Sequence, residues 1–120
     1  MIVNAALPIV TSALGTTYYL ACGTSTTAAA KANTALGAEI TTLGLARAAA
    51  TVTAATTTVA NDTLSCAKTF TATGAVSVYE VGLFNASSGP TMIGRTVLTT
   101  PRTFATNDQY VLIYQWVFQN

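Results

Sequence analysis

The chain has 120 residues, 51% of them hydrophobic and 8% charged, with a net charge of +1 and no histidine. An ordinary domain is about 25% charged, and disorder needs low hydrophobicity with high net charge, so this composition excludes a disordered chain. Five cations against four anions offer no basic face to nucleic acid, and no apolar run reaches the roughly 18 residues of a membrane helix.

Residues 1–15 read as a short helix or an irregular arm. Pro8 suits a first turn, with Ile9, Val10, Ala13 and Leu14 on one stripe and Gly15 as the stop. Tyr19-Leu20-Ala21-Cys22-Gly23 faintly resembles a lipoprotein cleavage site. Met1-Ile2-Val3-Asn4 lacks the positive charge of an export signal, however, and Tyr19 stands where Leu is preferred; no cleavage is expected. Thr17 to Cys22 predicts a strand, closed by Gly23-Thr24-Ser25. Thr26 to Ala38 reads as a loop with a helical turn at Thr34 to Leu36.

Leu43 to Ala60 is the longest apolar stretch, interrupted by Arg47 and by threonines that, with Val52 and Val59, favour an extended chain. Asn61-Asp62 is expected to form a two-residue turn. The returning run puts Leu64, Cys66, Phe70 and Ala72 on one face, which makes a long hairpin closed by Thr73-Gly74. In Val76 to Phe84, Tyr79, Val81 and Leu83 alternate with Val78, Glu80 and Gly82. Asn85 to Pro90 is a loop by composition. Met92 to Thr99 is a strand that Thr100-Pro101 should break, and Asn107-Asp108 turns the chain. Gln109 to Gln119 alternates most regularly, with Tyr110, Leu112, Tyr114, Trp116 and Phe118 on a face that must leave water. The expected fold is mainly all-β. Six or seven antiparallel strands form a β-sandwich or jelly-roll-like pair of sheets in a single domain over 1–120, with the arm at 1–15 and the sandwich at 17–119.

The chemistry of catalysis is missing. Glu39, Asp62, Glu80 and Asp108 show no paired spacing for acid–base work. No histidine can activate a nucleophile, and no phosphate-binding or GxSxG pattern occurs. No catalytic, cofactor-binding or metal-binding residue is therefore nominated, no cofactor is expected, and the chain is not expected to be an enzyme. Cys22 and Cys66 fit two buried thiols, with a single disulfide as the alternative. Asn61-Asp62 and Asn107-Asp108 fit turns better than a calcium site. The acceptor-like triplets Asn61-Asp62-Thr63 and Asn85-Ala86-Ser87 are read as turn chemistry too. The aromatic row of the last strand fits a core or a subunit interface better than a sugar platform.

Glu80 points opposite to Tyr79 and Val81. In a chain with so few charges an acid on a strand calls for a base, and Arg95 is expected to reach it if 76–84 and 92–99 form a hairpin. Gly82 would let a neighbour pack closely.

Several stretches carry a resemblance. Tyr79-Glu80-Val81-Gly82-Leu83-Phe84-Asn85-Ala86-Ser87-Ser88-Gly89, continued by Thr91-Met92-Ile93-Gly94-Arg95-Thr96-Val97, is similar to the "tEvGLFna.sGgtmlaRtvf" segment of small structural proteins of tailed bacteriophages. Leu20 to Ala28 resembles their "laLGTGTTaa" segment and Thr34 to Ile40 their "TALgxEi". Leu112 to Phe118 matches a final alternating strand, so the likeness spans about residues 17 to 118. Two positions depart from the pattern: Cys22 replaces a Leu-like residue, and Pro90 stands where Gly is usual.

The resemblance implies a non-enzymatic virion component, assembled in the host cytoplasm. The reading favoured here is a capsid decoration or cement protein that stabilises the shell by burying area across capsomer joints. The alternatives are a tail-fibre, collar or baseplate attachment protein and, third, a receptor- or carbohydrate-binding module. A surface this poor in charge resists association weakly, so a homo-oligomer is expected. Its partners would be other copies of itself and the major capsid protein or tail and collar proteins, with no nucleic acid and no membrane.

Overall fold

The computed structural model describes residues 17–56, 62–89 and 92–117, with the backbone alone at Trp116. The arm expected at 1–15 and the side chains of Trp116 and Phe118 lie outside the described residues. Within them the chain forms seven strands: β1 (Tyr19–Gly23), β2 (Ala48–Ala49), β3 (Thr51–Ala55), β4 (Thr63–Thr71), β5 (Val76–Phe84), β6 (Met92–Phe104) and β7 (Gln109–Val117). All pairings between strands are antiparallel. The first sheet has the order β2-β1-β5-β6 and the second β3-β4-β7. The fold is a β-sandwich.

One core lies between the sheets. Leu20 and Cys22 of β1 and Val78, Val81 and Leu83 of β5 face Leu64, Cys66 and Phe70 of β4 and Leu112 of β7. Period-two alternation places all of these except Val78 on one side of their strands, and their burial supplies the main driving force for joining the sheets. The first sheet has a second, smaller cluster on its outer face, where Ala21 and Phe84 pack with Leu36.

Three expectations change in the structure. Leu43 to Ala60 is not one strand. Leu43 and Gly44 adopt positive φ, and the extended chain begins at Ala48. β2 joins the first sheet through Tyr19 and Leu20, β3 joins the second through β4, and the crossing takes place at Ala50, whose N–H donates to the Tyr18 carbonyl at 2.8 Å. Small Ala and Thr side chains fit either sheet, so composition conceals the switch. Of the expected Asn61-Asp62 turn, Asn61 lies outside the described residues. The last pair among the described residues is Ala55 with Thr63, and Asp62 is buried beside Thr63, whose hydroxyl donates to its carboxylate at 2.8 Å.

The helical turn expected at Thr34 to Leu36 is absent; the segment 24–38 is irregular apart from bends and a turn. Finally, Thr100-Pro101 does not end its strand. β6 runs on to Phe104, but residues 98–101 stand opposite Tyr79 alone, between the pairs Glu80 with Val97 and Val78 with Arg102. Proline is tolerated there because β6 is an edge strand and the ladder is already interrupted. The same irregularity moves Val78 onto the core face with Val81 and Leu83, against simple alternation.

Candidate functional site

Glu80 occupies the middle of β5 on the outer face of the first sheet, and none of it is exposed. The expected partner is present: Arg95 Nε donates to Glu80 Oε1 at 2.9 Å, with both side chains almost fully buried. The backbone supplies the rest of the shell. The N–H groups of Ser25, Gly37 and Ala38 donate to the carboxylate at 2.9, 2.8 and 2.9 Å. Burial pushes the Glu80 carboxyl upward, but these three N–H donors and Arg95 outweigh it and hold the group below the usual carboxylate range.

Arg95 uses its remaining nitrogens on the same segment, donating to Asn33 Oδ1 at 3.1 Å and to the Thr27 carbonyl at 2.9 Å. One ion pair thus fastens the irregular segment 24–38 to the sheet. Two glycines make room for it. A Cβ on Gly23 would stand 2.5 Å from Glu80 Oε2 and 2.7 Å from the Ala38 carbonyl oxygen. A Cβ on Gly82 would stand 2.9 Å from Leu36, the close neighbour anticipated for that glycine.

A second hub sits beside the first, and sequence reasoning missed it. Arg47 grips Glu39 with two nitrogens, at 2.6 and 3.1 Å. Its guanidinium lies 3.5 Å over the ring of Phe84, and it donates to the carbonyls of Ala86 and Gly89 at 3.1 Å. A planar fork suits this combination of bidentate pairing and stacking; a lysine would not replace it. Scarcity was the available signal. The logic that pairs Glu80 with Arg95 applies equally to Glu39 and Arg47, only eight residues apart.

The stretches that carried the resemblance converge here. Gly23 to Thr27, Leu36 to Glu39, Glu80 to Phe84 and Arg95 all contribute to the two hubs or to the Leu36–Phe84 contact between them. Their shared chemistry is positional: the charged groups of both hubs are engaged by the protein itself, and among the described residues no buried side-chain nitrogen or oxygen lacks a partner.

The remaining candidates resolve individually. Cys22 and Cys66 are free, buried thiols in the core, and burial pushes Cys22 up to about 12. Asn107 takes a positive φ, and the Asp108 carboxylate accepts the Ala105 N–H at 2.8 Å, which is turn chemistry. Tyr110, Leu112 and Tyr114 face inward as expected, Tyr110 against Phe104 and the Tyr114 hydroxyl 3.3 Å from Thr96 Oγ1. Their neighbours Val111, Ile113 and Val117 remain exposed on the other face. Among the described residues no group of three or more Asp, Glu, Cys or His could hold a metal, and no helix is long and apolar enough to cross a membrane.

A family model described as Podophage GP4 fiber I protein gp80 matches residues 1–115. No curated protein and no solved structure matches the chain.

Proposed function

This chain belongs to the Podophage GP4 fiber I protein gp80 family, and on that premise we propose that it is a non-enzymatic structural subunit of a phage fibre. It is held in the virion by contacts with other copies of itself and with neighbouring virion proteins. The family match over nearly the whole chain carries this reading. It replaces the capsid-decoration role favoured on sequence grounds, because the matching family is described as a fiber protein; the fibre alternative takes its place.

The architecture supports a scaffold. The two arginine hubs spend their charge on fastening segments 24–47 and 85–89 to the first sheet, which fixes shape without leaving a reactive group. Buried ion pairs of this sort contribute little net stability against an apolar replacement but are costly to break, as suits a part whose task is to hold one form. Labelling the protein on intact particles and locating it by electron cryomicroscopy tests the proposal. Label on the fibres is expected; label distributed over the capsid shell would return the protein to the decoration reading.

A further inference from the structure

The two long edge strands of the sandwich are treated in opposite ways. A β-edge exposes unpaired N–H and C=O groups that invite another strand, and proteins blunt such edges with prolines, charges, bulges or brevity. β6, the edge of the first sheet, carries Pro101, Arg102 and the irregularity at 98–101. The opposite edge, β2, is two residues long. β7 carries none of these devices. Its nine residues, Gln109 to Val117, contain no charge, proline or glycine, and they pair with β4 without a single register shift. Among the described residues β4 is the only partner of β7.

The surface beside β7 agrees. A cleft of about 640 Å³ is lined by the six consecutive residues Tyr110 to Gln115, facing Val81 of β5 and Thr96, Leu98 and Arg102 of β6. A cleft over one face of a strand would be lined by alternate residues. Lining by consecutive residues means that it follows the strand's backbone margin. On the solvent face next to that margin, Val111 and Ile113 are 59% and 55% exposed and Val117 is 39% exposed, three of the five exposed large apolar residues among the described residues.

We propose that β7 is a self-pairing edge: β7 of a second copy of this chain lies antiparallel against it about a two-fold axis through Ile113, joining two three-stranded sheets into one of six strands. The occupant follows from the chemistry of the strand. A chargeless strand meets its own copy without like-charge repulsion, and equal lengths leave no overhang. Centred on Ile113, the pairing sets Ile113 against its counterpart, Val111 against Gln115 of the second copy, and Gln109 against Val117. The exposed aliphatic rows then abut on one face, while the inward residues of the second β7 extend over the mouth of the cleft. A contact of this kind is isologous, the commonest form of subunit interface. The inference rests on the fibre-subunit reading for its biological setting but is read out on the purified protein.

The test uses single substitutions in the full chain. Directly opposed positions in an antiparallel pair bring their Cβ atoms to about 4.5–5.5 Å, close to disulfide range. Ile113→Cys should therefore give a disulfide-linked dimer under mild oxidation, while Thr99→Cys, at an exposed site on the blunted edge, should not. The native thiols are buried and stay out of the reaction. Ile113→Lys places two like charges face to face, so self-association should weaken at least about ten-fold, with the mass by light scattering falling to the 12.3 kDa of one chain and the circular dichroism spectrum retained. A wild-type protein that is monomeric, an oligomer untouched by Ile113→Lys, or equal cross-linking by the two cysteine variants would each overturn the proposal. The fibre reading fails separately. A β7-linked dimer labelled on the capsid shell would sink that reading alone, and a monomer labelled on the fibres would sink this inference alone.

Discussion

The first sheet is covered on both sides, whereas much of the outer face of the second is open among the described residues. On the first, the inner face meets the common core and the outer face lies under segment 24–47, held by Glu80–Arg95, by Glu39–Arg47 and by Leu36 against Phe84. On the second, the inner face meets the same core, while on the outer side Thr63 and Ser65 of β4 are buried and Thr51, Thr53, Thr69, Val111, Ile113 and Val117 are open to solvent. With so few charges to place, four of the nine serve the outer cover of the first sheet. The difference separates two tasks. Polar fastening fixes the form of one sheet, and much of the other's outer face, threonines beside the aliphatic row of β7, is available for contact.

The comparison breaks most readily at Glu80. Glu80→Ala strands Arg95 and three backbone N–H groups in a buried site, at a cost of about 3–5 kcal/mol, a large share of the roughly 5–15 kcal/mol of a typical domain. Urea unfolding should show this as a lowered midpoint, and a loss under about 1 kcal/mol would mean that the hub does not hold the cover. Leu112, inward on β7 and buried, tests the core shared by both sheets. Leu112→Ala should cost about 2–5 kcal/mol by the same measurement.

Acid sharpens the contrast between the sheets. The folded carboxyl of Glu80 lies below its unfolded value, so the stability it contributes is fully present above the unfolded value, near pH 4.3, and is lost as pH falls through the folded one. The melting temperature of the wild type should therefore drop on acidification below that region, and the Glu80→Gln variant should show a flatter acid limb. Equal slopes in the two proteins would remove Glu80 as the cause.

The thiols report on the common core. In native protein at pH 8, Cys22 and Cys66 should react very slowly with a thiol reagent, because burial raises both and thiolate is the reactive form. After denaturation without reduction, two equivalents should react; a result near zero would mean a disulfide. The smallest effect belongs to the open face. Val111→Thr should change the stability of the single chain by no more than about 0.5 kcal/mol, and a larger loss would show that this face is already covered.

The parts of this arrangement visible in the sequence are those with a period or a scarcity. Alternation in β7 places Tyr110, Leu112 and Tyr114 inward, and the shortage of charge pairs Glu80 with Arg95. The parts that escaped depend on distant chain. Nothing local in an Ala- and Thr-rich stretch says that Ala50 is where the strand changes sheets. The irregularity opposite Tyr79 overrides alternation in β5 and keeps Pro101 within a strand. Segment 24–38 has no periodicity because its form is imposed by acceptors on β5 and donors on β6. The Arg47 hub was hidden for the same reason: its stacking partner Phe84 ends β5 and its carbonyl acceptors lie in the β5–β6 connection, far along the chain from Arg47.

The wiring of Glu80 also bears on how long the folded chain persists. The β5–β6 hairpin is local and can form early, but the N–H groups of Ser25, Gly37 and Ala38 come from much earlier in the chain and reach Glu80 only when β1 has docked on β5. Such long-range closure is slow, and contacts completed after the folding barrier act mainly on the rate of escape. Loss of the Glu80 carboxylate should therefore leave the refolding rate nearly unchanged and accelerate unfolding. In a particle that must wait outside its host, that rate, more than the equilibrium, sets how long each copy lasts.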